Sequence, residues 1–141
     1  MHLSSRLAIS SDAVLLGALN HQLIQDEGHR NPMTIPELQE RMRCWLELEY
    51  KAVIFENETE VVAYALFREG PELIYLRQLF VQRHCRRRRI GQQALHILRK
   101  EYWPPQKRLT VEVLTANSAA IAFYRKEGFS DYCLTLEIPV T

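Results

Sequence analysis

Apolar residues recur along this chain at two different periods, and the switches between them divide it into elements. Leu15, Leu16, Leu19, Leu23 and Ile24 fall three and four apart, lining one face of a helix that opens at Ser11 and Asp12 and ends near Gly28. Thr34 and Glu37 have the spacing of a capping box, with Pro36 in the first turn, so a second helix is expected through Leu38, Met42, Trp45 and Leu46 toward Glu49. The period then shortens. Val53–Phe55, Val61–Phe67 and Leu73–Val81 are rich in β-branched and aromatic residues and read as strands. The breaks at Asn57-Glu58 and Gly70-Pro71 are too short for crossovers, which predicts an antiparallel meander.

Helical spacing returns with Ile90, Ala94, Leu95, Ile97 and Leu98, predicting a helix over about 90–102 that stops at Trp103-Pro104-Pro105. Leu109, Val111 and Val113 alternate with polar partners and predict a strand. Strand, helix and strand in one sheet imply a right-handed parallel crossover. Asn117 and Ser118 open a short helix through Ala120, Phe123 and Tyr124, closed by Gly128. Tyr132 to Ile138 alternates once more and predicts a last strand. The expected fold class is α/β with an α+β type of mixed sheet: a central, mostly antiparallel sheet flanked by helices, with one parallel strand-helix-strand crossover.

Length and charge narrow the function. A chain of 141 residues is the size of one compact domain, so 1–141 is expected to form one. With 47% hydrophobic and 25% charged residues it has an ordinary globular composition, which excludes disorder. Lys and Arg total 18 against 17 Asp and Glu, so no whole-chain field draws nucleic acid or an acidic membrane. Cys44, Cys85 and Cys133 make neither a disulfide framework nor a zinc pattern, which fits a reducing, cytoplasmic setting. Met1–Ser11 lacks the apolar core of a secretory signal, and no apolar run approaches the roughly 20 residues of a membrane span. His2, His21, His84 and His96 show no ligand spacing, so no metal is assigned.

Two segments carry chemistry. The first runs from Leu79, Phe80 and Val81 through Gln82–Cys85 into Arg86, Arg87, Arg88, Arg89, Ile90, Gly91 and Gln92. A strand leading through a loop to a helix start gathers backbone N–H groups and the positive end of the helix dipole at one point, and the guanidinium groups add charge suited to phosphate. A diphosphate-bearing ligand is the expectation, against the blander reading of a solvated arginine loop. No P-loop or Rossmann glycine pattern is present. Cys85, beside arginines, could have an activated thiol, though a bystander role is the favoured reading.

The second segment is Glu112–Phe129. Together the two resemble the GNAT superfamily of N-acetyltransferases, whose signature is Arg/Gln-x-x-Gly-x-Gly/Ala at a helix head and, about twenty-five residues on, Asn-x-x-Ala-x-x-x-Tyr-x-x-x-Gly-Phe. Arg86, Arg89 and Gly91 occupy the first motif; Asn117, Ala120, Tyr124, Gly128 and Phe129 fill the second. The resemblance spans about Leu73 to Phe129, and the preceding order of two helices and a meander also fits. One position departs: Arg89 stands where the family usually has glycine. In a left-handed backbone this arginine would cost about 1 kcal/mol or more, and in a helical one nothing.

The resemblance implies an acetyl-CoA-dependent N-acetyltransferase, passing the acetyl group to a primary amine by direct attack through a tetrahedral intermediate. Leu79, Phe80 and Val81 would offer main-chain groups to the pantetheine arm and an N–H to the oxyanion. Arg86 through Gln92 would hold the pyrophosphate, Asn117 the cofactor arm or a water, and Ala120 and Phe123 would line the same site. Tyr124 matches the tyrosine that protonates the departing CoA thiolate. Glu112 stands at the spacing of a glutamate base found in some members, although its alternation with Val111 and Val113 points either to the cleft or to solvent.

Asp26, Glu27 and His29 lie where the family forms its acceptor wall, and Arg77 and Tyr75 are further cleft candidates on the central strand. The acceptor is expected to be a small-molecule amine, and dimerisation through the sheet edge or last strand is left open. Two rivals stand beside this reading: a catalytically silent CoA-binding module, and an arginine-rich nucleic-acid-binding domain, which the near-neutral charge and lack of a second basic cluster disfavour.

Overall fold

The computed structural model describes residues 2–140; Met1 and Thr141, the ends of the expected 1–141 domain, lie outside the described residues. Five strands form one sheet in chain order: β1 (Ser4–Leu7), β2 (Lys51–Glu56), β3 (Val61–Glu69), β4 (Leu73–Val81) and β5 (Arg108–Val111). The first four pair antiparallel, and β4 and β5 are parallel. Helices α1 (Ala13–Glu27) and α2 (Ile35–Glu47) precede the meander, α3 (Ile90–Ile97) makes the crossover between β4 and β5, and α4 (Ser118–Lys126) follows. Among the described residues no helix is long and apolar enough to cross a membrane.

The sheet is buried on both faces. Val53, Phe55, Phe67, Ile74 and Leu76 join Leu95, Leu98, Trp103 and Tyr124 in one core, on the side of α3 and α4. Ala52, Ile54, Tyr64, Leu66 and Phe80 join Leu16, Leu19, Leu23 and Met42 in the other, against α1 and α2. Alternate residues of β2 and β3 therefore serve opposite cores, so these strands read as continuous apolar runs. The two leading helices pack closely enough that a Cβ on Gly17 would lie 2.4 Å from a Gln39 side-chain carbon. The capping box of α2 forms as its spacing predicts, Thr34 N–H donating to Glu37 at 2.8 Å, and Gly28 ends α1 with φ 72°.

Three expectations need correction. Ser4–Leu7 is a strand that no alternation announces; it is held on β2 by its backbone and by Arg6, which bridges Asp12 and Glu56 at 2.9 Å each. The predicted helix over 90–102 is α-helical only to Ile97, and Leu98–Tyr102 widens into π turns. There the Trp103 N–H closes on the Leu98 carbonyl at 2.8 Å, and the indole packs edge-on against Phe67 with centroids 5.5 Å apart. The proline pair behind Trp103 cannot continue a helix, so the wider turn ends it and delivers the indole to the core. The last strand expected over Tyr132–Ile138 does not form: this segment pairs with no strand among the described residues, and Leu136 is 83% exposed.

Candidate active site

Between β4 and β5 the sheet opens. Their ladder runs from Leu73 opposite Arg108 to Leu76 opposite Val111 and then ends, while β4 continues to Val81. At the same point the β3–β4 register slips: Leu66 pairs with Gln78 and Phe67 with Leu76, leaving Arg77 as an extra residue. The bulge puts Arg77 and Gln78 on one face, so beyond it Leu79 and Val81 turn to the α3–α4 core. The Gln82 N–H donates to Val62 on β3 at 2.9 Å, so by alternation the main-chain groups of Val81 and Leu79 face away from β3, into the opening. Phe80 is buried on the other side against Tyr64.

The α3 start closes the top of this opening. The first helical bond here is from the Gln93 N–H to the Arg89 carbonyl at 3.0 Å, so the N–H groups of Ile90, Gly91 and Gln92 have no helical acceptor. No side chain among the described residues caps them, in contrast to α2 and α4. Arg87 and Arg89 take positive φ angles of 67° and 59°; left-handed residues alternating with right-handed ones are the kind of backbone that can gather N–H groups around an anion. The conditional cost attached to Arg89 is therefore real: it is left-handed, at φ 59° and ψ 23°. A Cβ on Gly91 would lie 3.5 Å from the Phe123 ring and 3.9 Å from a Val81 methyl. Helix α3, helix α4 and strand β4 thus meet at one place.

Tyr124, buried one residue beyond, is packed edge-on by Phe123 and Phe129 with centroids 5.0 and 5.4 Å away. Burial, aided by the charge of Glu27, pushes its phenol well above the ordinary tyrosine value, so it stays protonated at neutral pH. Asn117 caps α4, accepting from the Ala120 N–H at 3.2 Å. Glu112 faces the α1–α2 side, accepting from the Tyr75 hydroxyl at 2.7 Å; burial and this bond push the Tyr75 phenol up to about 12.

The arginines divide. Arg83 and Arg86 both donate to Asp26 at the end of α1, the Arg86 bond being 2.8 Å, and Arg86 Nε also donates to the Val81 carbonyl at 2.9 Å. The Asp26 side chain is only 8% exposed. Burial works to raise its pKa, but the two guanidinium groups outweigh it and hold the carboxyl below the usual range. Asp26 is thus committed to the basic loop, and Glu27 accepts from His29 at 2.8 Å. Arg87, Arg88 and Arg89 make no ion pair among the described residues and are exposed. A groove of about 1010 Å³ is lined by Arg89, Gln92, His96 and Lys100 on the α3 side, and also by Trp103, Leu109 and Glu127.

Two aromatics that no sequence signal marks stand at the site. The Arg77 guanidinium lies 4.7 Å from the Trp45 ring centroid and donates to the Tyr50 hydroxyl at 3.3 Å, which places an aromatic and cationic wall beside Tyr75 and Glu112. Trp45 fits the apolar face of α2, so only its packing reveals this. Glu60, His84 and Cys85 also come together, with donor atoms within 4.8 Å of one another, although no spacing marks them. Burial pushes the Cys85 thiol up, so the neighbouring arginines do not activate it.

The sequence matches the Acetyltransferase (GNAT) family over residues 20–129. No curated protein matches it. Among solved structures, an acetyltransferase from Thermus thermophilus superposes with TM-score 0.77 at 22% identity, over 92% of this chain and 88% of that one. An acetyltransferase, so predicted, from Clostridium acetobutylicum with acetyl-CoA superposes with TM-score 0.75 at 19% identity, over 98% and 96%. An aminoglycoside acetyltransferase from an uncultured soil metagenomic sample, in complex with sisomicin, superposes with TM-score 0.74 at 16% identity, over 99% and 95%. At these identities the likeness is one of fold.

Proposed function

The chain belongs to the GNAT acetyltransferase family, and on that premise we propose that it transfers the acetyl group of acetyl-CoA to the primary amine of a small molecule. The observation that carries this reading is the meeting of Gly91, Phe123 and Val81 at the mouth of the β4–β5 opening. A diphosphate at that mouth would meet the free N–H groups of Ile90, Gly91 and Gln92 and the dipole of α3, with Arg87, Arg88 and Arg89 adding charge. The groove along α3, with His96 and Lys100 on its wall, suits the phosphorylated nucleoside end. The main chain of Leu79 and Val81 would bond the arm inside.

When bound, acetyl-CoA supplies a thioester whose acyl carbon the amine attacks, the C–N bond forming and the C–S bond breaking through a tetrahedral intermediate. The chain's part is to place and stabilise. An N–H from Leu79 or Val81 donates to the developing oxyanion, a preorganised dipole in a water-poor cleft. The acceptor arrives as ammonium, and Glu112, directly or through a water, takes its first proton; the second leaves the nitrogen of the tetrahedral intermediate to solvent, from which the released thiolate is protonated. Tyr124 donates a hydrogen bond to the departing sulfur. Its raised pKa makes full transfer to a thiolate of about 8.5 uphill, so its contribution is chiefly to stabilise the charge developing there.

On the α1–α2 side, Trp45, Tyr50, Tyr75 and Arg77 form the wall that would receive the acceptor, with Glu112 as its carboxylate. Asp26 is committed to Arg83 and Arg86, so its role is to hold the cofactor loop. One structural neighbour, an aminoglycoside acetyltransferase, holds sisomicin, and an acceptor with several amines is consistent with an acidic group beside an aromatic wall. Thiol release from acetyl-CoA, measured across a panel of small amines, tests the reading. Saturable release with at least one amine is expected, and Tyr124→Phe should lower turnover about 10- to 100-fold while CoA still binds. No release from any amine by a protein that binds CoA would leave only the silent module.

A further inference from the structure

Two arginines share one ring in the wall on the α1–α2 side. The Arg41 guanidinium, from α2, lies 4.2 Å from the Trp45 ring centroid, and the Arg77 guanidinium, from the β4 bulge, lies 4.7 Å from it. The two cations are therefore less than about 9 Å apart and repel each other. Neither makes an ion pair among the described residues, whereas Arg43, two residues further along α2, holds Glu47 at 2.8 Å. Arg87, Arg88 and Arg89 are also unpaired, but they are exposed, and Arg41 is half-buried. Burial, and then the charge of Arg77, lower the pKa of Arg41.

Donors gather around the pair without acceptors to match. Arg41 donates to the side-chain carbonyl of the fully buried Asn20 at 3.0 Å, but the Arg41 Nε and the Asn20 amide nitrogen have no partner. Gln78, on the same face as Arg77, accepts from the Tyr64 hydroxyl at 2.8 Å, which leaves its NH2 group for another acceptor. Arg77 itself has only a long bond to the Tyr50 hydroxyl, at 3.3 Å. Buried donors are nearly always satisfied, and a desolvated guanidinium without a counter-ion is costly, so the cluster fits an anion.

We propose that the acceptor carries a carboxylate beside its amine, and that Arg41 and Arg77 bind the carboxylate while Glu112 receives the amine. This rests on the acetyl-transfer reading above and narrows its acceptor to a small amino acid.

Tyr75 joins the two ends of the site. Its hydroxyl donates to Glu112 at 2.7 Å, and the charge of Arg77 acts on the same phenol. The amine and the acid of one small molecule therefore reach both. A guanidinium takes a carboxylate through two parallel N–H bonds, and the indole beneath holds the plane of the fork in place. An acceptor with several amines and no acid would also meet Glu112, but it would bring further cations up to two guanidinium groups that lack a counter-charge, which disfavours it.

Matched pairs of acceptors test this: an amino acid, and the amine obtained when its carboxyl group is replaced by hydrogen. Each is given to the full chain with acetyl-CoA while thiol release is followed. In at least one pair, kcat/KM for the amino acid should exceed that for its partner about 10-fold or more, mostly through KM. Arg77→Gln should shrink this ratio toward one and Arg77→Lys should restore part of it, with calorimetric CoA binding as the check that both variants fold. Arg41→Gln should act in the same direction; should that half-buried change unfold the chain, the exposed Arg77 variants decide. Carboxyl-free amines turned over as well as their partners would overturn the inference and leave acetyl transfer standing. A ratio that Arg77→Gln does not change would do the same. No release from any pair would overturn the acetyl-transfer reading and this inference with it.

Discussion

Leu76 on β4 stands opposite Val111 on β5 as the last pair of the parallel ladder, and the next residue of β4, Arg77, is the bulge. The two events coincide, and together they turn a closed sheet into a cleft. Without the bulge the alternation of β4 would carry through, and Leu79 and Val81 would lie on the α1–α2 side. With it, their side chains back onto α3 and α4 while their main-chain groups line the opening.

Gly91 guards the mouth of that opening. A Cβ there makes ordinary contact with Phe123, so Gly91→Ala is expected to bind acetyl-CoA nearly as the unmodified chain does. Gly91→Leu would fill the space toward Phe123 and Val81, and should weaken binding about 10-fold or more, equivalent to about 1.4 kcal/mol. Calorimetric titration checks this, with thermal melts to confirm the fold; unchanged affinity in Gly91→Leu would place the diphosphate elsewhere.

Burial raises the phenols of Tyr64 and Tyr124 above their ordinary value, with the Glu27 charge adding to both. The folded state therefore holds these protons more tightly than the unfolded chain, which releases them near pH 10. Stability contributed in this way is fully present below about pH 10 and is lost as pH rises further. Melting temperature should be flat from about pH 7 to 9 and fall above 10, less steeply in Tyr124→Phe.

Asp26 gives the opposite sign. Its folded pKa is depressed by Arg83 and Arg86, so its contribution is present above about pH 4 and is lost as pH falls through the folded value. Asp26→Asn should cost about 1 kcal/mol at neutral pH, a modest figure because both arginines are exposed, and the difference should vanish in acid. Loosening the loop should raise the KM for acetyl-CoA a few-fold with little change in kcat, a split that steady-state kinetics resolves.

The left-handed backbone at Arg89 costs stability. Arg89→Gly is expected to stabilise the fold by about 1 kcal/mol, or a few degrees in Tm, while Arg88→Gly, whose backbone is not left-handed, should not. Equal melting temperatures for the two variants would mean that the loop relaxes at no cost.

Much of this is legible in the sequence, for local reasons. The Thr34–Glu37 box, the Gly28 stop, the meander and the crossover into β5 follow from spacing and turn chemistry, and each forms. What is not legible depends on partners distant along the chain. Ser4–Leu7 becomes a strand because β2 offers an edge, and Arg77 bulges because of register with β3. Asp26 reads as an acceptor-wall carboxylate until Arg83 and Arg86, far along the chain, are seen to hold it. Alternation over Tyr132–Ile138 marks a segment with one apolar face, but alternation alone does not make a strand.

The central claim is that one cleft, bounded by Val81, the α3 start and α4, receives the cofactor. Backbone amide shifts followed during titration of the full chain with CoA test it most directly. The account expects saturable shifts at Leu79–Val81, Arg87–Gln92 and Asn117–Tyr124, with β1 and β2 silent. Saturable binding whose shifts fall outside those three segments, or no binding at millimolar CoA, would contradict it.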